Sequence, residues 1–206
     1  MADSIIKICG IRDPEMAEKT AISGANYIGV IFHPESVRCV DLKTAALISH
    51  AAKKSGALPV AVFVNQNNVE MQSICEKTDI QIAQLHGDIA RVHHHLLPKT
   101  IQKIYVLNNG KISDGLKYLN PERDLILIDH ENPGHGHQIN YCDFHYDLPF
   151  KWLLAGGLTS SNIISMMKDL KPNGVDVSSG VESSRGNKNI LLIQKFITTI
   201  RGYDAK

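Results

Sequence analysis

The chain of 206 residues has little of what would assign a protein quickly. It carries four cysteines, at positions 9, 39, 75 and 142, and no two stand at the spacing of a zinc knuckle or a redox C-x-x-C pair. Four in a chain this long do not make a disulfide scaffold, so reduced thiols are expected. Charge of one sign is not in excess, since 22 Lys and Arg face 21 Asp and Glu for a formal net charge of +1. That balance, with aromatics at 6% and a single Trp152, argues against a basic nucleic-acid binder. Apolar runs such as 57–64 fall far short of the ~20 residues that cross a bilayer. The N-terminal Met-Ala-Asp-Ser-Ile-Ile-Lys lacks the pattern of a signal peptide, so a cytoplasmic protein without nucleic-acid or membrane partners is expected. No Ser/Gly-rich linker or low-complexity tract marks a boundary, and the length suits one domain over 1–206.

What is there is a strand–helix rhythm. Short apolar, β-branched runs recur at 5–9, 27–32, 59–64, 80–85, 101–107, 125–129, 152–155 and 175–178. Several are apolar on successive residues, as strands buried on both faces of a parallel sheet are. Between them lie segments of helical spacing. One opens on Asp13-Pro14-Glu15 and closes at Gly24, and others span 41–55, 67–77, 88–97, 160–170 and 189–200. Segments 112–119 and 141–148 carry little periodicity. Eight βα units predict a small α/β protein, a closed (β/α)₈ barrel near the lower end of its range of roughly 200 residues and upward. Strand counting alone leaves an open doubly wound sheet as the competitor.

In a barrel, the ends of the strands and the loops that follow them face the active site. Those positions read Lys7-Ile8-Cys9-Gly10, residues 32–38 with His33 and Arg38, Gln84-Leu85-His86-Gly87, Asp129-His130-Glu131, Ala155-Gly156-Gly157-Leu158 and Asp176-Val177-Ser178-Ser179-Gly180. Ionisable residues and glycines collect there while the strand bodies are apolar, which points to an enzyme. The glycines after the seventh and eighth strands let backbone amides approach an anion, and the loops after those strands are the usual phosphate site of the fold. Cys9 stands at the mouth, with Lys7 and Arg38 near enough in sequence pattern to favour its thiolate. Asp129 follows the run Leu-Ile-Leu-Ile, where poor solvation would push a carboxyl's pKa up. A thiolate base and a carboxylic acid across one pocket make a general acid–base pair, although a structural aspartate capping the next turn fits the position equally well.

Together these segments resemble the phosphoribosylanthranilate isomerases of tryptophan biosynthesis. The matching stretches are Lys-Ile-Cys-Gly-Ile at 7–11, Tyr-Ile-Gly-Val-Ile-Phe at 27–32, Ser-x-Arg at 36–38, Val-Phe-Val at 62–64, Gln-Leu-His-Gly at 84–87, Leu-Ala-Gly-Gly-Leu at 154–158 and Gly-Val-Asp-Val-Ser-Ser-Gly-Val-Glu at 174–182. They run in order along nearly the whole chain. The resemblance implies an Amadori rearrangement of N-(5′-phosphoribosyl)anthranilate to 1-(2-carboxyphenylamino)-1-deoxyribulose 5-phosphate, with no metal and no organic cofactor. It implies Cys9 as the base that removes the C2′ proton of the ring-opened Schiff base, and Asp129 as the acid that protonates the furanose oxygen. Arg38 would hold the anthranilate carboxylate, and amides around Gly156, Gly157, Ser179 and Gly180 the 5′-phosphate. His86 and Asp176 would shape the pocket or bind substrate. The partner is then a small phosphorylated molecule, and the chain a monomer or a homodimer.

This chain departs from the family pattern at Val37, where proline is usual, at Gly134-His135-Gly136, at Ile139-Asn140-Tyr141 and at Arg185-Gly186-Asn187-Lys188-Asn189. The strongest rival reading rests on Asp129-His130-Glu131 with His135 and His137, residue types that ligate metals, as in a metal-dependent sugar-phosphate epimerase. A sugar-phosphate-binding barrel that has lost catalysis is the reading from another class, and Cys9, Asp129 and Arg38 together argue against it. His93-His94-His95 reads as a solvated helix face.

Overall fold

Along each strand of the computed structural model, alternate side chains enter two different cores, and this explains the continuous apolar runs of the sequence. Val60, Ile82, Ile104, Val106, Leu125, Leu127, Leu153 and Ala155 meet inside a barrel. Their neighbours, among them Ile6, Ile8, Ile28, Phe63, Leu85, Ile126 and Val175, face the helices that surround it. The described residues are 3–108, 114–129 and 149–205.

Eight parallel strands build the barrel: β1 (Ile5–Cys9), β2 (Tyr27–Ile31), β3 (Leu58–Phe63), β4 (Ile82–Leu85), β5 (Gln102–Asn108), β6 (Leu125–Asp129), β7 (Trp152–Leu154) and β8 (Gly174–Val177). They are hydrogen-bonded in chain order, and β1 pairs with β8 to close the ring. The closed barrel is the architecture expected, and the open sheet is excluded. The connecting helices are α1 (Pro14–Ile22), α2 (Leu42–Lys54), α3 (Asn68–Thr78), α4 (Asp88–His93), α5 (Ile163–Leu170) and α6 (Ile190–Asp204). Asp13, Asp41 and Asn189 accept backbone N–H groups at their helix starts, and Asn67 forms a capping box with Glu70. No helix among the described residues is long and apolar enough to cross a membrane.

Several boundaries differ from the sequence reading for local reasons. Ile80 does not start β4. Asp79 takes a left-handed conformation that ends α3, and the Ile80 N–H bonds back to the Cys75 carbonyl. The segment 88–97 is helical only to His93 and continues as a 3₁₀ turn, His94–Leu96, in which His94 is buried rather than solvated. After β5 a 3₁₀ turn, Asp114–Tyr118, stands where a helix was weakly indicated. A short hairpin of β9 (Glu182–Ser184) and β10 (Asn187–Lys188) between β8 and α6 was not expected. The segment 141–148, Cys142 and the metal-ligand cluster from His130 to His137 lie outside the described residues, as do Gly134-His135-Gly136 and Ile139-Asn140-Tyr141.

Two glycines test this packing with opposite signs. A Cβ on Gly174 would stand 2.2 Å from the Ile5 carbonyl oxygen in the closing β1–β8 pair, whereas one on Gly202, inside α6, meets nothing within 4 Å. Gly174→Ala is expected to lose about 1–3 kcal/mol by overpacking. Gly202→Ala is expected to gain about 0.5–1 kcal/mol from reduced chain entropy. Urea denaturation of both variants checks the pair, and equal signs would contradict it.

Candidate active site

The mouth at the C-terminal ends of the strands holds a cavity of about 800 Å³. Its floor is set by interior-facing residues of β1 and β8, where the apolar barrel core gives way to polar side chains. Lys7 is fully buried, and its Nζ donates to both carboxylate oxygens of Asp176 at 2.9 Å, directly across the closing strand pair. Two residues on, Cys9 shares the same face and lines the cavity. It pairs with Gly29 of β2, where any Cβ would stand 2.8 Å from the Cys9 Sγ, so glycine is what gives the sulfur its room.

Burial is the largest influence on Cys9 and pushes its thiol above the ordinary value. Lys7 and Lys188 pull it down, Asp176 pushes it up, and the net shift is upward. Lys7 and Arg38 thus do not favour the thiolate strongly enough to make it the resting form. Lys7 gives its charge to Asp176, and Arg38 gives its charge to Glu182. For Lys7, burial acts to lower the pKa, but Asp176 and Cys9 outweigh it and the ammonium is retained.

Asp129 ends β6, three strands round the barrel from Cys9. It lines the same cavity and is half-buried, so the apolar enclosure suggested by Leu-Ile-Leu-Ile stops one residue short of it. His86, at the end of β4, has its Nε2 4.0 Å from an Asp129 carboxylate oxygen. Burial lowers the His86 pKa, only partly offset by Asp176, so the imidazole is neutral near pH 7.

After β7, the strand next to that of Asp129, Gly156 and Gly157 adopt positive φ values of 96° and 62°. The Asn162 side chain then accepts the Thr159 N–H and donates to the Gly157 carbonyl, closing the loop on itself. This moves the start of α5 to Ile163, past the Thr159–Ser160 start suggested by sequence. A Cβ on Gly180 would fall 1.8 Å from the Leu158 carbonyl oxygen, so only glycine lets the loops after β7 and β8 lie backbone against backbone. Ser179 and Gly180 open a 3₁₀ turn there, the short extra element that flanks phosphate sites in this fold.

Arg38 reaches the mouth from the loop after β2. Gly10, at φ 82°, clears its path, since a Cβ there would stand 2.5 Å from the arginine Cδ. The guanidinium does not stand alone. Its Nε and Nη2 donate to the two carboxylate oxygens of Glu182 at 2.6 and 2.7 Å.

The cavity thus brings together the residues proposed from sequence for proton transfer and substrate binding: Cys9, Arg38, His86, Asp129, Gly156, Gly157, Asp176, Ser179 and Gly180 all line it. Sequence reasoning missed Glu182 and Gln84, whose buried Oε1 has no hydrogen-bond partner among the described residues. It also assigned nothing to the exposed Arg185 at the rim. Gln84 and Glu182 lie inside motifs that were noticed, Gln-Leu-His-Gly and Val-Glu, but nothing local marks either as inward-facing. Among the described residues, no group of three or more His, Cys, Asp or Glu is placed to hold a metal ion.

Ionisable groups gathered at the C-terminal rim, with glycine loops after β7 and β8, put the chain in the class of (β/α)₈-barrel enzymes that act on small phosphorylated molecules. The family model for N-(5′-phosphoribosyl)anthranilate (PRA) isomerase matches residues 6–199, and the chain belongs to that family. It is 38% identical over 200 residues to the N-(5′-phosphoribosyl)anthranilate isomerase of Chlamydia caviae, covering 95% of this chain and 96% of that one. The crystal structure of phosphoribosyl anthranilate isomerase from Thermotoga maritima superposes with a TM-score of 0.80 at 30% identity, covering 97% and 99% of the two chains. A phosphoribosyl anthranilate isomerase in complex with reduced 1-(o-carboxyphenylamino)-1-deoxyribulose 5-phosphate gives a TM-score of 0.77 at 28% identity, with the same coverage.

Lys7→Met should cost about 3–5 kcal/mol, because it leaves the Asp176 carboxylate buried without its partner, while Lys7→Met with Asp176→Leu should recover most of that loss. Chemical denaturation of the two variants decides it, and a single variant as stable as the double would refute the pairing. Cys9 in the ligand-free protein should be alkylated by iodoacetamide with a half-maximal rate above pH 9, since its raised pKa delays thiolate formation as pH increases. Peptide mapping separates it from the other cysteines, and a midpoint near pH 7 would show a thiolate at rest.

Proposed function

We propose that this chain catalyses the Amadori rearrangement of N-(5′-phosphoribosyl)anthranilate to 1-(2-carboxyphenylamino)-1-deoxyribulose 5-phosphate. The observation that carries the reading is that Cys9 and Asp129 face one cavity from strands on different sides of the barrel, between an arginine and a pair of glycine loops. The reaction needs one proton delivered, one removed, and an anion anchored at each end of the substrate.

In this mechanism Asp129 protonates the furanose oxygen and the ring opens to a Schiff base. Cys9, once deprotonated, takes the C2′ proton. Lys7 and Lys188 beside it offset part of the cost of making a buried thiolate. Arg38 receives the anthranilate carboxylate on the edge of the guanidinium that Glu182 leaves open. The 5′-phosphate lies on amides around Gly156, Gly157, Ser179 and Gly180. Asp176, with both oxygens held by Lys7, presents its remaining lone pairs to the ribose, and the Gln84 Oε1 accepts a ribose hydroxyl. Neutral His86 shapes the wall beside Asp129. No step calls for a metal or an organic cofactor. All of these groups come from one chain, so a monomer or a homodimer carries complete sites, and reduced Cys9, Cys39 and Cys75 suit the cytoplasm.

The test is the decay of anthranilate-type fluorescence as fresh phosphoribosylanthranilate is consumed in the presence of chelator. Wild-type protein should exceed spontaneous decay. Cys9→Ala and Asp129→Asn should each lower kcat by about 10²–10⁴-fold, the usual worth of a general acid or base, with the fold intact. Arg38→Ala should act mainly on KM. Near-normal kcat in either of the first two variants would remove the acid–base assignment, and a wild-type protein no faster than background would remove the function.

A further inference from the structure

The proposed chemistry gives Glu182 no step of its own, yet it is a heavily bonded carboxylate at the mouth. Its side chain is only 4% exposed. It accepts from Arg38 Nε and Nη2, from Lys188 Nζ at 2.7 Å and from the Gly186 backbone N–H at 3.0 Å. Lys188 is buried as well and donates also to the Ser178 carbonyl at 2.8 Å and to the Ser178 hydroxyl at 3.2 Å. The β9–β10 hairpin that carries both Glu182 and Lys188 therefore ties the arginine of the β2 loop to the backbone of the loop after β8.

We propose that Glu182 is a positioning residue, which aims the open edge of Arg38 into the cavity and, through Lys188, fixes that edge relative to the loop after β8. Glu182 takes the side edge formed by Nε and Nη2. The end edge, one N–H each from Nη1 and Nη2, remains with the right spacing for a second carboxylate. An arginine has several rotatable bonds, and without a clamp its end edge would sample many directions. Buried Glu182 selects one. Burial alone would raise the Glu182 pKa, but the bonds from Arg38, Lys188 and Gly186 hold it at about 2, so the clamp is ionised wherever the protein is folded near neutrality.

Coulomb repulsion alone would act in the opposite direction. Glu182 is an anion beside a site for an anion, so by charge its removal would tighten binding. As a positioning residue, its removal weakens binding, because apparent affinity falls with the fraction of arginine correctly oriented.

The inference rests on Arg38 as the carboxylate anchor, and the experiment separates the two. Dissociation constants are measured for reduced 1-(o-carboxyphenylamino)-1-deoxyribulose 5-phosphate and for the same compound without its carboxyl group, with wild type, Glu182→Gln and Lys188→Gln. Wild type should prefer the carboxylated ligand, and Glu182→Gln should lose roughly tenfold of that preference as the oriented fraction drops to about a tenth. The decarboxylated ligand should bind both proteins alike. In turnover, KM should rise by a similar factor with kcat changed less than threefold. Lys188→Gln, which loosens Glu182 without touching Arg38, should show the same loss of preference in its dissociation constants in smaller measure; it is read by binding alone, because Lys188 also acts on Cys9. It supplies the test if Glu182→Gln does not fold. Wild-type preference fully retained in the variants, or tighter binding of the carboxylated ligand, overturns the positioning role while leaving the isomerase reading intact. A wild type that turns over substrate but does not distinguish the two ligands overturns both the role of Arg38 and the inference built on it.

Discussion

The closing register between β1 and β8, which sets Lys7 opposite Asp176, is the constraint on which the site depends. In a strand the side chains alternate, so a slip of one residue would send Lys7 and Cys9 into the helix-facing core and bring Ile6 and Ile8 to the mouth. The apolar core cannot accept that exchange. A buried ion pair adds little net stability over a hydrophobic pair of the same volume, because both charges lose their hydration. Stability comes from the apolar cluster inside the barrel and the larger one beneath the helices. Lys7 and Asp176 break the apolar interior at the one level where charge is useful, immediately below the sulfur of Cys9.

How much of this was legible depended on whether a signal was local. The strands announced themselves because both faces are buried, and the mouth could be read because ionisable residues and glycines cluster at strand ends. Cys9, Arg38 and Asp129 lie in such clusters. What was not legible depends on who the neighbours are in space. Glycine at 29 reads as an unremarkable strand residue until its partner across the sheet is seen to be Cys9. Glu182 is separated from Arg38 by 144 positions, and no spacing rule connects them. The resting state of Cys9 was not legible for the same reason. Burial decides it, and although Lys7 and Asp176 were both visible, their pairing across the closing strands was not. The short α4 and the delayed start of α5 are set by local hydrogen bonds, such as those of Asn162, that compete with helix.

The two anchors and the two proton-transfer groups are held differently, and the proposed reaction gives a reason. Between the closed furanose and the open chain the middle of the substrate changes shape, whereas its carboxylate and phosphate remain. Rigid ends are therefore compatible with every intermediate. Arg38 is clamped on one edge, and the loops after β7 and β8 are packed backbone to backbone through Gly180. In the proposed reaction, contacts to the two anions would be made equally in ground and transition states, so they would not by themselves raise kcat. Their value would be orientation, placing the C2′ proton at Cys9 and the ring oxygen at Asp129 without further ordering.

In the proposed mechanism the two proton-transfer groups also differ from each other. Cys9 is buried in the cavity wall and its thiol is pushed up, whereas Asp129 is half-buried at the rim. A buried thiol is a weak acid, and its conjugate thiolate is correspondingly a strong base. The upward shift that keeps Cys9 protonated at rest also gives the thiolate, once formed, a greater affinity for the C2′ proton. Lys7 and Lys188 oppose that shift and keep the thiolate within reach, and Asp176 limits how far Lys7 can do so. The pair beneath Cys9 thus sets a compromise between how often the base is available and how strongly it acts, and neither Lys7 nor Asp176 could set it alone.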